Sequence, residues 1–141
     1  MRYSRKVTIS SLSASIIALD QAVKFVLERN FPETVQYNPH LGLGISFISG
    51  FDFYLSIIAV AVLAYLMIKN FKSEYAIALA MILAGGVSNL IDRFIRPGVA
   101  DYLTLWFIPN FNTADIFISA GVILILVRSF LLERSTLDRS R

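Results

Sequence analysis

Four long apolar segments constrain the fold of this chain more than any other feature of its sequence. They cover about residues 7–27, 53–68, 75–91 and 112–132. A helix needs about 20 mostly apolar residues to cross the hydrocarbon core of a bilayer. Only 16% of the 141 residues are charged, against roughly 25% in soluble domains. The sequence therefore predicts an all-α integral membrane protein, a single domain over residues 1–141 with four transmembrane helices.

Lysine and arginine are distributed unequally between the two sides of this predicted bundle. The side with both termini and the 69–74 turn holds nine of them, and the other side holds only Arg29, Arg93 and Arg96. The positive-inside rule therefore predicts that both termini are cytoplasmic. Four spans then place the longer connections, residues 28–52 and 92–111, on the outer side.

The first outer connection is too polar, and too rich in Pro and Gly, to span the membrane. Residues 34–37 and 45–48 have strand-like composition on either side of the turn-forming pair Asn38-Pro39. We expect a small extracytoplasmic β-like cradle or loop region here.

The second outer connection contains Tyr102, Trp106 and Phe107. Amphipathic aromatic rings are enriched where the membrane meets water. These three residues therefore predict contact with membrane lipids.

The first apolar segment is similar to a signal peptide, but Asp20, Gln21 and Lys24 lie towards its end and no small-residue cleavage motif follows. We therefore predict a retained span. Asp20 and Lys24 are four residues apart, so they can pair along one helical face. Such a pair could only fix helix packing, or it could belong to a functional site, which is the default hypothesis for ionisable residues inside a span.

The polar residues of the predicted spans and connections gather on the outer side of the bundle. On a helix, Gly86, Asn89 and Arg93 share a face, with Asp92 one step round from it. Asp101 lies beyond the break at Pro97-Gly98, and Asp115 opens the last apolar segment. The whole set comprises Asp20, Lys24, Asn38, Asn89, Asp92, Arg93, Asp101, Asn112 and Asp115.

Each of these residues also has a purely structural interpretation. Asn112 followed three residues later by Asp115 resembles a cap at a helix N-terminus. Asp101 could be a turn residue, and Asn89, Asp92 and Arg93 could join two spans. Two acids facing one small volume would instead suit acid and base chemistry. Packing does not require so many polar groups at one membrane depth.

Other site classes are disfavoured by composition. The chain has no cysteine, which excludes disulfides, thiolate metal ligands and cysteine nucleophiles. His40 is the only histidine and lacks nearby ligand partners, so we predict neither a metal site nor a cofactor. The basic residues lie at the ends and in one short turn without interleaved aromatics, so we predict no nucleic-acid partner.

The order of the polar motifs resembles that of the lipoprotein signal peptidases, the signal peptidase II family. The resemblance is carried by GGVSNLIDR, VADY and FNTAD, after a first span with Asp20 and Lys24 and a connection with Asn38. It runs from about Asp20 to Gly121. Three departures are Ser88 where Gly is common, Tyr102 where Phe is usual, and Gly42-Leu43 where Ala-Phe is common.

This resemblance implies a four-helix aspartyl protease of the bacterial cytoplasmic (inner) membrane. It would remove signal peptides from prolipoproteins on the amino side of a diacylglyceryl-modified cysteine. Asp101 and Asp115 would be the catalytic pair. Asn89, Arg93 and Asn112 would line the site and hold the substrate backbone, and Asp92 would support them. Asp20, Lys24 and Asn38 match family positions and would bind substrate or support the site.

The residues by themselves leave a rival function open. A noncatalytic four-span protein, such as a helper subunit or a proton or ion pathway, could use the same cluster to pack helices or to pass protons. A metal-dependent lipid phosphotransferase is disfavoured because the acids are scattered singly. We expect a monomer, since four spans can form the site alone.

Overall fold

The computed structural model describes residues 2–40 and 51–139. Four helices dominate it: α1 (Arg2–Asn30), α2 (Phe51–Lys69), α3 (Ala76–Ile95) and α4 (Thr113–Arg139). Each contains a segment long and apolar enough to cross a membrane. The predicted fold class, four transmembrane helices with a small β region, is confirmed.

Helix α3 is the centre of the bundle, packs against the other three helices and is the most buried of the four. Its inward face is built largely from small residues, which let helix backbones approach closely. A Cβ atom on Gly85 would lie 2.6 Å from the Ala114 carbonyl oxygen of α4, and one on Gly121 would lie 2.7 Å from the Ala78 carbonyl oxygen of α3. The two glycines therefore set the α3–α4 distance.

The two ends of the bundle differ in chemistry. A cluster of buried apolar side chains, including Ile9, Met67 and Leu79, fills one end, which we call the apolar end. The buried polar residues lie at the opposite, polar end, where α1 and α3 finish and α2 and α4 begin: Asp20, Lys24, Asp52, Ser56, Ser88, Asp92, Asp101 and Asn112. The predicted one-sided concentration of polar groups is present in the fold.

In the part of the chain that the structure describes, four short strands cover the polar end. Strand β1 (Gln36–Asn38) pairs antiparallel with β2 (Val99–Asp101), and β3 (Leu103–Leu105) pairs antiparallel with β4 (Ile108–Phe111). Of the β-like cradle expected around residues 34–37 and 45–48, the structure describes only the first part, where β1 pairs with β2, about sixty residues along the chain. Residues 45–48, and the Gly42-Leu43 departure, lie outside the described residues.

Helix α3 extends beyond the C-terminal end of the predicted apolar segment, residues 75–91. It continues to Ile95, so Asp92 and Arg93 lie on its last turns rather than in the following connection. Strand β2 then begins at Val99, after the Pro97-Gly98 break. The side chains of α3 and β2 are thereby held at the same level of the bundle.

Candidate active site

The first turn of α4 is closed by Asn112 and Asp115. The Asp115 backbone N–H donates to Asn112 Oδ1 at 3.1 Å, and the Asn112 backbone N–H donates to Asp115 Oδ2 at 3.1 Å. This reciprocal pattern is a capping box, and an acid there also interacts favourably with the helix dipole. Only Asp115 Oδ2 takes part in the cap, which leaves Oδ1 for other partners.

The remaining N–H groups of this turn are bound by other parts of the chain. Thr113 N–H donates to the Tyr102 hydroxyl at 3.1 Å, and the Tyr102 and Thr113 hydroxyls also contact each other. Ala114 N–H donates to Asp20 Oδ1 of α1 at 2.9 Å. Because unpaired N–H groups at a buried helix end are costly, these contacts fix where α4 starts.

Asp101 ends strand β2 and is only 3% exposed. Its Oδ1 accepts a hydrogen bond from Asn112 Nδ2 at 2.8 Å, and its Oδ2 accepts one from Asn38 Nδ2 at 3.3 Å. Burial, helped by the negative charge of Asp115, raises the pKa of Asp101 to about 6, although the two amide donors oppose the shift. The turn interpretation of Asp101 does not account for this burial.

Both acids line one cavity of about 620 Å³ at the polar end. Its polar wall includes Asn38, His40, Asn89 and Arg93 as well as the two acids. The rest of its wall is mainly apolar and includes Leu105, Ile108 and Phe111 of the strands and Ile116, Ile118 and Ile123 of α4. The pair therefore faces a space with one polar end and a long apolar side.

The side chain of Asn89 is oriented by three hydrogen bonds. Its Oδ1 accepts from Lys24 Nζ at 3.3 Å and from Asn112 Nδ2 at 3.1 Å. Its Nδ2 must then point the other way, and it donates to Asp115 Oδ1 at 2.8 Å. The amide thus presents a donor to Asp115.

A cluster of buried charges contacts Asn89 through Lys24. Lys24 Nζ lies 2.6 Å from both Asp20 Oδ2 and Asp92 Oδ2, and all three side chains are fully buried. The predicted pairing of Asp20 with Lys24 is confirmed. A buried charge without a partner would be strongly destabilising, so the three residues act as one unit.

Arg93 does not pair with its neighbour Asp92. It donates to the backbone carbonyl of Asn89 at 3.1 Å and to that of His40 at 2.8 Å. His40 lies beside Asp52, with Nδ1 3.5 Å from Oδ2. Arg93 thus holds the backbone of the first connection at His40, beside the cavity.

Several residues of the cluster were not found from the sequence. Gln21 Nε2 donates to Ser88 Oγ at 3.0 Å and to Asp92 Oδ1 at 2.8 Å, and Ser88 Oγ donates to Asp20 Oδ2 at 2.7 Å. Glu28 and Arg96 form an ion pair beside them. The sequence did contain a signal for Gln21, because a polar residue next to Asp20 in an apolar segment is a candidate member of the same buried cluster.

Two carboxylates that line one cavity disfavour each other's ionisation, and the negative charge of Asp115 is one cause of the raised pKa of Asp101. Such a pair can accept a proton on one carboxylate and donate one from the other, as acid and base catalysis requires. Across residues 2–40 and 51–139 there is no group of three or more His, Asp or Glu side chains placed to hold a metal ion.

Comparisons with known proteins agree on one family. The family model described as signal peptidase (SPase) II matches residues 12–131. The lipoprotein signal peptidase of Listeria monocytogenes serotype 4a is 31% identical, with 89% of this chain and 94% of that protein covered. The lipoprotein signal peptidase of Enterococcus faecalis is 34% identical, with 88% of both chains covered.

A similar fold occurs among solved structures. A bacterial membrane enzyme determined at 2.3 Å resolution superimposes with a TM-score of 0.75 at 21% identity, over 92% of this chain and 90% of that one. A second, at 1.9 Å resolution, gives a TM-score of 0.68, also at 21% identity. These likenesses concern the fold.

Proposed function

Because the chain belongs to the signal peptidase II family, whose members are lipoprotein signal peptidases, we propose that it cleaves prolipoproteins with a water molecule activated by Asp101 and Asp115. The bond cleaved would be the one on the amino side of a diacylglyceryl-modified cysteine. The observation that supports the pair best is that both acids line one cavity and both are hydrogen bonded to Asn112.

The reaction needs one proton shared by the two carboxyl groups. The ionised group takes a proton from water while the water oxygen attacks the scissile carbonyl carbon, and the protonated group donates to the carbonyl oxygen. The tetrahedral intermediate then collapses, the C–N bond breaks, and a proton passes to the leaving amine. The products are a carboxylic acid and an amine, and no covalent enzyme intermediate forms.

The neighbouring amides and Arg93 would bind the peptide around the scissile bond. The side-chain amides of Asn38 and Asn112 donate to Asp101, and that of Asn89 donates to Asp115. Both acids still line the cavity. A guanidinium group does not release its proton at ordinary pH, so Arg93 would bind carbonyl oxygens rather than act as an acid.

The shape around the pair suits a lipid-modified peptide. The apolar wall formed by Ile116, Ile118 and Ile123 could receive the acyl chains or the signal helix. On the other side, Asp101 and Asn38 also border a second cavity of about 430 Å³, lined by Gln36, Tyr37 and Asn110 among others. A chain running from one cavity to the other would pass Asp101.

We place the site at the outer face of the cytoplasmic membrane, with both termini in the cytoplasm. Nine lysine and arginine residues lie on the predicted cytoplasmic side, whereas the outer side has Arg29, Arg93 and Arg96. This asymmetry supports the proposed orientation. The four spans enclose the site within one chain, so we propose that a monomer is active.

The direct test is a gel-shift cleavage assay on a diacylglyceryl-modified prolipoprotein in lipid. Asp101→Asn and Asp115→Asn are compared with wild type at matched amounts of folded protein. Both variants should lose cleavage by several orders of magnitude, because Asn cannot exchange a proton with water. Glu33→Gln, which neutralises an exposed acid in the same connection as Asn38, is the matched control and should cleave at the wild-type rate.

Other results would contradict parts of the proposal. Normal cleavage by both Asn variants would reject the assignment of Asp101 and Asp115 as the catalytic pair. An inactive wild type would reject the assignment of lipid-modified prolipoproteins as substrates. Equal cleavage of a prolipoprotein without the lipid would reject the lipid requirement. The noncatalytic alternative is not supported, because the relatives are peptidases.

A further inference from the structure

An ion pair outside the family motifs lies next to the buried charges of the site. Glu28 is near the end of α1, and Arg96 follows the last residue of α3. Arg96 Nε and Nη2 lie 2.5 Å and 3.0 Å from the two carboxylate oxygens of Glu28. The Glu28 side chain is 22% exposed and the Arg96 side chain is 10% exposed. This bidentate and largely buried geometry is unlike that of an ordinary surface pair.

The third nitrogen of Arg96 faces the interior. Its Nη1 donates to Asp92 Oδ1 at 2.7 Å and to Gln21 Oε1 at 3.0 Å. Hydrogen bonding to Glu28 raises the pKa of Arg96 further, so the guanidinium is always cationic. Arg96 therefore joins the outer ends of α1 and α3 to a fully buried carboxylate.

The two oxygens of Asp92 have separate tasks. Oδ1 is bound by Arg96 and Gln21. Oδ2 lies 2.6 Å from Lys24 Nζ and accepts the Ala100 N–H at 3.1 Å. Oδ2 is therefore linked indirectly to both acids. Its bond to Ala100 fixes the residue before Asp101, and its contact with Lys24 fixes the lysine that orients the Asn89 amide, which donates to Asp115.

We propose that Arg96, held by Glu28, is a positioning residue that fixes the Asp92 carboxylate and, through it, both members of the catalytic pair. The proposal rests on the assignment of Asp101 and Asp115 as that pair. Without Arg96, Asp92 Oδ1 would lose its charged partner and the carboxylate could rotate away from Ala100. Asp20 and Asp92 would also be left with Lys24 as the single cation between them.

Loss of the Arg96 charge should also alter the titration of the pair. The charged and titratable groups around Arg96 and the pair are Asp20, Lys24 and Glu28 on α1, Tyr37 on β1, Asp92 and Arg93 on α3, Asp101 at the end of β2, and Asp115 on α4. Removal of a cation from this set disfavours ionisation of a nearby carboxyl group. The limb of the pH–rate profile that belongs to the pair should then move to higher pH.

The test compares Arg96→Gln, Arg96→Lys and Glu28→Gln in cleavage of a lipid-modified prolipoprotein from pH 4.5 to 8. Arg96→Gln should lower kcat by roughly 10- to 100-fold, the range for losing a hydrogen bond to a charged group, with little change in KM. The apparent pKa that the pH–rate profile shows near pH 6 should rise by several tenths of a unit. Arg96→Lys keeps the charge but not the fork, so it should restore the limb and only part of kcat.

Glu28→Gln separates positioning from simple helix tethering. It breaks the ion pair but leaves the Arg96 charge beside Asp92, so the limb should stay in place or move slightly downward, with a loss of kcat smaller than that of Arg96→Gln. Arg128→Gln breaks the exposed Glu74–Arg128 pair at the apolar end. It is the matched control and should behave like wild type.

Two results would overturn the proposal. One is an Arg96→Gln variant with wild-type kcat and limb. The other is full recovery in the exchanged double variant Glu28→Arg/Arg96→Glu, which restores the tether but sets a carboxylate against Asp92.

A readout independent of proteolysis is the titration of the Asp101 carboxyl group, followed by infrared difference spectroscopy against Asp101→Asn. An unchanged titration in Arg96→Gln refutes the positioning role even if the wild type fails to cleave. Failure of the wild type with a displaced titration would instead count against the proposed function alone.

Discussion

Asn89 donates its side-chain amide to Asp115, with Nδ2 2.8 Å from Oδ1, although the two residues lie on different helices. Lys24 and Asn112 both bind the Asn89 oxygen, so the amide cannot turn over without losing those contacts. The orientation of a single amide therefore depends on a buried lysine from a third helix.

Replacement of Asn89 by Asp should make this dependence measurable. The change removes the donor to Asp115 and adds a negative charge, so cleavage should fall by roughly 10- to 100-fold, in line with the loss of one hydrogen bond to a charged group. The limb near pH 6 should move to higher pH. Asn70→Asp makes the same chemical change at the apolar end and should leave cleavage unchanged. A normal rate at all pH values in Asn89→Asp would refute the contact's importance.

Asp101 should make the folded protein less stable at neutral pH than at acid pH. Its pKa is raised from 3.8 to about 6, so the folded chain binds more protons than the unfolded chain between these values. The free energy of unfolding then falls as pH rises through this window, by at most about 3 kcal/mol for this group.

Asp101→Asn cannot titrate, so it should melt a few degrees above wild type at pH 7 and at the same temperature near pH 4. Melting curves in detergent over this range check the difference. A constant gap between the two proteins would mean that the pKa of Asp101 is not raised.

The adjacent glycines Gly85 and Gly86 should respond differently to the same substitution. A Cβ on Gly85 would lie 2.6 Å from the Ala114 carbonyl, in the turn that contains Asp115, whereas a Cβ on Gly86 meets Val60 at an ordinary 3.5 Å. Gly85→Ala should therefore cost about 1–3 kcal/mol of stability and reduce cleavage. Gly86→Ala should be neutral or slightly stabilising. Equal effects on melting and cleavage would contradict this packing.

Trp106 should report the depth of the β3–β4 hairpin in the membrane. It is the only tryptophan of the chain and is fully exposed at the hairpin tip beside Phe107. Since aromatic rings favour the interface, its fluorescence should be blue-shifted in vesicles and quenched most strongly by lipids labelled near the headgroup. Emission typical of water, insensitive to labelled lipids, would place the hairpin outside the membrane.

The sequence predicted those features that depend on neighbouring residues. The four helices follow from the length of apolar segments, and the Asp20–Lys24 pair and the Asn112–Asp115 cap follow from spacings of four and three residues. These patterns need no knowledge of which helices meet.

Contacts between distant residues could not be predicted in this way. Strand β1 pairs with β2, and Glu28 reaches Arg96, 68 residues away. A charged residue near the end of a span is by default expected to reach the interface. The Ser88 and Tyr102 departures from the family pattern also gain a physical reason, because their hydroxyls bind Asp20 and the first turn of α4.

The start of α4 has a consequence for how the protein is made. Asp20 is synthesised and inserted with the first span, but the Ala114 N–H that binds its Oδ1 follows 94 residues later. Until α4 is made, Asp20 lacks this partner and the chain has Asp101 without Asp115. Under the proposed mechanism, insertion of the last helix would therefore complete the catalytic pair, and a chain that stops before α4 would not cleave.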